Sequence, residues 1–220
     1  MLREALAFSI ACLAGSWAHA AGGHHSVDDA AILDPGQCQV ETWFDHAESG
    51  SAHLWHVGPA CRVGPVELGL NFDAIRTDSG ERTSVGGVQV KWARPLTEKL
   101  SIGAVVAAAW QDRSPHFVGT SVVIPLTWQA TETLQLHVNA GRDFLADAPD
   151  ADHAGVAAEW SASQQWSFVA ERFRELHADR WRLGARRNLN EKISVDLSRA
   201  QGLGHAPTSW TVGLNWVFDR

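Results

Sequence analysis

Ser209-Trp210-Thr211-Val212-Gly213-Leu214-Asn215-Trp216-Val217-Phe218 is the stretch on which the fold turns. In an extended chain successive side chains point to opposite faces, so Trp210, Val212, Leu214, Trp216 and Phe218 share one face and Thr211, Gly213 and Asn215 the other. An apolar face carrying Trp towards both ends is the pattern of a strand that crosses a bilayer. The indole ring has an apolar body and one N–H, and it settles where hydrocarbon meets headgroup.

The same alternation recurs upstream. Val66, Leu68, Leu70, Phe72 and Ala74 oppose Glu67, Gly69, Asn71 and Asp73; Leu100, Ile102, Ala104, Val106, Ala108 and Trp110 oppose Ser101 and Gly103; Ile193, Val195 and Leu197 oppose Ser194, Asp196 and Ser198. In all, about twelve segments of roughly 8 to 13 residues run from Cys38 to Phe218, the length of a tilted transmembrane strand. Trp92, Trp128, Trp160, Trp166 and Trp216 stand beside one set of connections, and Trp110, Trp181 and Trp210 beside the other. The connections read as tight turns (Gly64-Pro65, for example) alternating with longer polar loops, including 145–153 and 175–179. The expected fold is an all-β, antiparallel, up-and-down transmembrane barrel of about twelve strands with both termini in the periplasm. A soluble sandwich or lipocalin-like barrel would turn its apolar faces inward and has no reason to collect Trp at both ends.

The chain ends fit export. Met1-Leu2-Arg3-Glu4, the apolar run 5–14 and Ala18-His19-Ala20 read as a signal peptide over 1–20. The apolar run is shorter than the roughly 20 residues that a membrane helix needs. Residues 21–37 read as a periplasmic leader and 38–220 as the barrel. The net charge of −7 argues against nucleic acid as a partner. With Cys12 in the signal segment, Cys38 and Cys61 remain as a disulfide pair. A first outer turn centred on Ser49-Gly50 sets Cys38 opposite Cys61, Phe44 opposite Trp55 and His46 opposite His53.

The terminal strand resembles that of bacterial outer-membrane β-barrels, which end on an alternating strand with a final aromatic; here Asp219 and Arg220 extend beyond Phe218. His25, Asp28-Asp29-Ala30, Gly36, Gln39 and Glu41 resemble the entry into the first strand of the outer-membrane family named for the meta-pathway of phenol degradation, although Ser26 follows His25 where that family commonly has proline. The resemblance implies an outer-membrane barrel that takes up hydrophobic compounds.

Facing the lumen, the alternation puts Glu67, Asn71, Asp73, Gln89, Lys91, His137, Asn139, Glu159, Glu171, Arg182, Arg186, Asp196 and Asn215. Such a mixture of acids and bases serves either a narrow channel or a salt-bridged filling. His46, His53 and His56 sit near the first outer loop, with His116, His153, His177 and His205 at later ones. Imidazole is the commonest metal ligand, which makes His46, His53 and His56 a candidate Zn or Cu site at the rim. Ordinary loop histidines that never meet are the alternative. Gly22-Gly23-His24 would chelate Cu(II) if cleavage fell after Ala21, and Asp143, Asp147, Asp150 and Asp152 could hold divalent cations bridging surface lipopolysaccharide. No Gly-x-Ser-x-Gly, Cys-x-x-Cys, phosphate-binding glycine loop or His-Glu-x-x-His occurs, so neither an enzyme nor a cofactor is expected. The expected function is a small channel or uptake protein for small, even hydrophobic, solutes; a rim-binding barrel or an envelope scaffold is the alternative. Expected partners are outer-membrane lipid and lipopolysaccharide, the barrel-assembly machinery, and a small solute or transition metal.

Overall fold

The structure, a computed structural model, describes residues 24–48, 52–77, 79–203 and 208–220. The signal segment 1–20, the Ser49-Gly50 turn and His205 lie outside the described residues. Twelve strands follow in order: β1 (Gln37–Ala47), β2 (Ala52–Val63), β3 (Val66–Thr77), β4 (Arg82–Pro95), β5 (Leu100–Gln111), β6 (Phe117–Gln129), β7 (Leu134–Leu145), β8 (Ala151–Ser161), β9 (Trp166–Glu175), β10 (Ala178–Asn188), β11 (Ile193–Gly202) and β12 (Ser209–Asp219). Each pairs antiparallel with its sequence neighbours, and β1 closes on β12 from Gln37↔Asp219 to Ala47↔Ser209. Closure removes every free sheet edge. In hydrocarbon that is a requirement, because an unpaired backbone N–H or C=O there has no water to bond.

The facing of the side chains inverts that of a soluble protein. Leu68, Leu70, Phe72, Val212, Leu214 and Trp216 are exposed, while Glu67, Lys91, Glu171, Arg182, Arg186 and Asp196 are buried. A continuous apolar wall around a charged interior is stable only in a lipid bilayer, and the protein is an outer-membrane β-barrel. Trp128, Trp160, Trp166 and Trp216 stand on the outer wall at the periplasmic ends of their strands, and Trp110 and Trp210 at the opposite ends. Trp43 departs from the girdles: it turns inward and stacks on His56 with ring centroids 3.5 Å apart.

The first hairpin has the expected register, with Cys38↔Cys61, Phe44↔Trp55 and His46↔His53. Cys38 and Cys61 form a disulfide across a Cα separation of 4.0 Å. The outer connections are shorter than the sequence predicts. β8 begins at Ala151, so Asp152 and His153 belong to the strand rather than the loop. Only Leu176 and His177 join β9 to β10, both in the left-handed region (φ 46° and 66°). The ladder continues beyond the apolar belt because the twist of a tight primed turn matches that of the strands it joins.

Arg at Leu70 or at Val195, both on the lipid-facing wall, is expected to destabilise the inserted barrel by about 2–4 kcal/mol at mid-bilayer depth and less towards the interfaces. Urea-dependent folding into lipid bilayers measures this, and wild-type midpoints in both variants would contradict a lipid-facing wall.

Candidate functional site

The sequence places the leader in the periplasm; the structure puts residues 24–33 inside the barrel. The physical reason is hydrogen bonding. The inner wall carries carboxylates, an ammonium and guanidiniums that must be satisfied, and the leader brings backbone donors, backbone acceptors and two carboxylates to them.

Glu171 of β9 is the first anchor. Its carboxylate accepts from the N–H of Ser26 at 3.3 Å and of Val27 at 3.1 Å, and from Arg182 of β10 at 2.9 Å. Arg182 also donates to the carbonyl of His24. Lys91 of β4 is the second, with its Nζ 3.0 Å from Asp29 and 3.4 Å from Asp28. Between them Asn139 of β7 brackets the backbone of Asp28, its amide N 2.9 Å from the carbonyl O and its amide O 2.7 Å from the N–H. Thr127 of β6 accepts from the N–H of Ala30 at 2.8 Å and bonds the His137 ring at 2.9 Å. Further along, Glu67 of β3 accepts from the N–H of Leu33 at 3.0 Å, and Arg62 of β2 donates to the Leu33 carbonyl at 2.8 Å. The leader therefore crosses the lumen, held by strands on several sides of it.

Packing repeats the pattern. Val27 is buried against Ala157 of β8 and Phe173 of β9. A Cβ on Gly155 would lie 2.6 Å from Val27 Cγ2, and one on Gly184 would lie 3.1 Å from His25 Cε1. These inward glycines keep the room that the leader fills.

Other inward groups also meet partners on the wall. Arg186 reaches Asp196 at 2.7 Å, and His56 Nδ1 reaches Asp73 at 2.6 Å. Glu159 lies 3.9 Å from His137 Nε2. Gln89 faces inward beside Gly69, and Asn71 faces inward beside Gly58. Asn215 pairs with Glu41 of β1 and Ser194 of β11 on the same inner face.

The rim histidines divide. His46 and His53 meet on the outer wall with Nδ1 atoms 3.0 Å apart. His56 does not join them, because three positions along a strand reverses the facing, and it is buried in the lumen beside Asp73. The expected three-histidine set is thus not assembled, and no group of three or more His, Cys, Asp or Glu among the described residues could hold a metal ion. His153 is likewise not a loop residue; it points inward with Nδ1 3.5 Å from Asp143. The acids of the fourth loop are engaged as well: Asp143 accepts from Ser121 at 2.7 Å, while Asp150 and Asp152 lie 3.8 Å and 3.0 Å from Arg142.

Sequence reasoning missed Val27, Asp28, Asp29 and Leu33 as lumen residues, together with Arg62, Thr127 and the inward Trp43. One signal was available. Asp28-Asp29 is an acidic pair in the leader, and Lys91 is the one lysine on the predicted inner wall.

The barrel is similar to those of outer-membrane porins of known structure. The KdgM porin in complex with disordered oligogalacturonate superposes with a TM-score of 0.64 at 9% identity, covering 82% of this chain and 99% of that one. An outer membrane channel from Pseudomonas putida F1 gives 0.62 at 10% identity, covering 86% and 98%. The NanC porin gives 0.58 at 10% identity, covering 81% and 98%. At such identities the likeness is one of fold. No curated protein matches the sequence significantly. Over residues 9–218 the chain matches the family described as "Uncharacterised conserved protein UCP029691", and it belongs to that family.

Proposed function

We propose that the protein is an outer-membrane channel for small solutes whose lumen is closed by its own N-terminal segment and opens when that segment withdraws. The observation that carries the reading is how the interior is filled. A scaffold would fill the lumen with wall side chains. Here Gly155 and Gly184 leave space, and a peptide occupies it that is joined to the wall covalently at Gln37 and elsewhere through ion pairs, hydrogen bonds and packing. Twelve strands enclose a lumen between the filled interior of about eight strands and the wide channel of about sixteen.

Withdrawal of Val27 would uncover an apolar niche at Ala157 and Phe173, flanked by Glu171 and Arg182. Such a niche suits a small solute with an apolar body and one polar group. The resemblance of the leader to the meta-pathway phenol degradation family supports the same class, since His25, Asp28, Asp29 and Ala30, which carry it, are residues inside the lumen. An envelope scaffold is the second reading; the Arg186–Asp196 and His56–Asp73 pairs favour it, because they fill the interior without the leader.

Planar-bilayer conductance decides between them. Asp28→Asn/Asp29→Asn removes both leader carboxylates from Lys91 while leaving the wall, with Glu67 beside Lys91, intact. Removing one side of a buried ion pair costs about 3–5 kcal/mol, and with Glu67 offsetting part of that the closed state should weaken by about tenfold or more. The wild type should be mostly closed, and the double variant should open for most of the recording. Silence in that variant and in a chain lacking residues 24–35 would favour the scaffold.

Gly155→Leu should act in the same direction without touching any ion pair, because its side chain occupies the position of Val27; overpacking of this kind costs about 1–3 kcal/mol. Its open probability should lie between those of the wild type and the Asn variant. Wild-type behaviour would mean that Val27 does not seat the leader.

A further inference from the structure

We infer that the outward face of β1 to β4 at the outer rim is a docking site for the phosphate groups of the glycolipid of the outer leaflet. Cross-strand pairing sets Trp210, His46, His53, Arg76 and Arg82 side by side, each the register partner of the next. Trp210, His46, Arg76 and Arg82 are exposed and His53 is half-buried. Adjacent strands lie about 4.8 Å apart, so the imidazoles and the two guanidiniums fall within the reach of one phosphorylated disaccharide headgroup.

The ion pairs single out this sector. Elsewhere on the outer wall the arginines near the rim already have carboxylate partners: Arg142 has Asp152, Arg172 and Arg174 have Asp179, and Arg199 has Glu48. Arg199 and the Trp210 indole both donate to Glu48, and the Arg199 guanidinium holds its carboxyl below the usual range. Among the described residues no ion pair engages Arg76 or Arg82. In the His46–His53 contact one Nδ1 donates and the other accepts, so the accepting ring carries its N–H on Nε2, free for another partner. On a chain of net charge −7, a cluster of uncommitted cationic and N–H donors at this depth is complementary to an anion.

The neighbouring surface fits the rest of such a lipid. One outward step towards mid-membrane stand Phe44, Trp55 and Ala74, with Phe44 stacked on His53 at 5.7 Å and packed on Trp55 at 5.3 Å. Donors above an aromatic shelf match a molecule with phosphates above acyl chains. Guanidinium suits this role because its planar fork binds phosphate oxygens two at a time and is weakly hydrated.

Native mass spectrometry of the detergent-purified full-length barrel tests the site with three probes: bisphosphorylated lipid A, the same lipid dephosphorylated, and inorganic phosphate. The wild type should retain the bisphosphorylated lipid. Arg76→Gln/Arg82→Gln should bind it about tenfold or more weakly, His46→Gln/His53→Gln should weaken it less, and Arg76→Lys/Arg82→Lys should restore part of the loss. Arg94→Gln, at the periplasmic end of β4, should bind as the wild type does, and heat-modifiability on gels checks that each variant is folded. Equal retention of the dephosphorylated lipid would overturn the proposal, as would an equal loss in Arg94→Gln. So would inorganic phosphate binding, sensitive to Arg76 and Arg82, in a protein that does not retain the lipid.

Discussion

The β1–β12 closure is the constraint on which the rest of this protein depends. A sheet in hydrocarbon can leave no strand edge unpaired, so the last strand must find the first, and Gln37↔Asp219 to Ala47↔Ser209 is the seam. Once the sheet is a cylinder, the period-two alternation leaves each side chain two places to go. Odd and even residues become lipid and lumen. Leu68 and Leu70 need no partner in lipid, whereas Glu67 and Lys91, side by side on the inner wall, each take a further partner from the leader.

That need explains the leader. Within the wall, Arg186 finds Asp196 and Arg182 finds Glu171, but Lys91 has its two nearest carboxylates on the leader, and Glu171 and Glu67 have capacity for N–H donors beyond their wall neighbours. Residues 24–33 are too few to form a layer of their own. Inside the cylinder they act as the complement of its inner surface, backbone to carboxylate and carboxylate to ammonium. Burial of charge is costly unless paired, so the leader and the inner wall stabilise each other.

The strands were legible because their signal is local. Alternation across Leu100 to Trp110, or across Trp210 to Phe218, needs no knowledge of distant residues, and a single turn centre at Ser49-Gly50 fixed the whole register of the first hairpin, disulfide included. Strand ends were less legible. Polar residues such as Asp152 and His153 read as loop, yet they extend the ladder above the apolar belt, and Leu176–His177 carries none of the Gly or Asn that usually marks a tight primed turn. The leader was illegible for a different reason. Its contacts join Asp29 to Lys91 and Val27 to Glu171, separations over which composition and periodicity carry no information.

The inward glycines connect these threads. Read from sequence, a glycine on the lumen face only spares volume, and the spared volume could serve a solute, water or a collapsed wall. In the folded chain Gly155 and Gly184 lie against Val27 and His25, so the space is shaped to a peptide and not to a general void. A larger residue at either position would press on the leader, so glycine on the wall is a condition of the leader's seat. On the gating proposed above, a small wall residue opposite the leader would become open cross-section once the peptide is gone. The same proposal would couple one property to the other: Lys91 and Glu171, which hold the leader by an ion pair and backbone hydrogen bonds, are the groups that its withdrawal would leave facing the lumen.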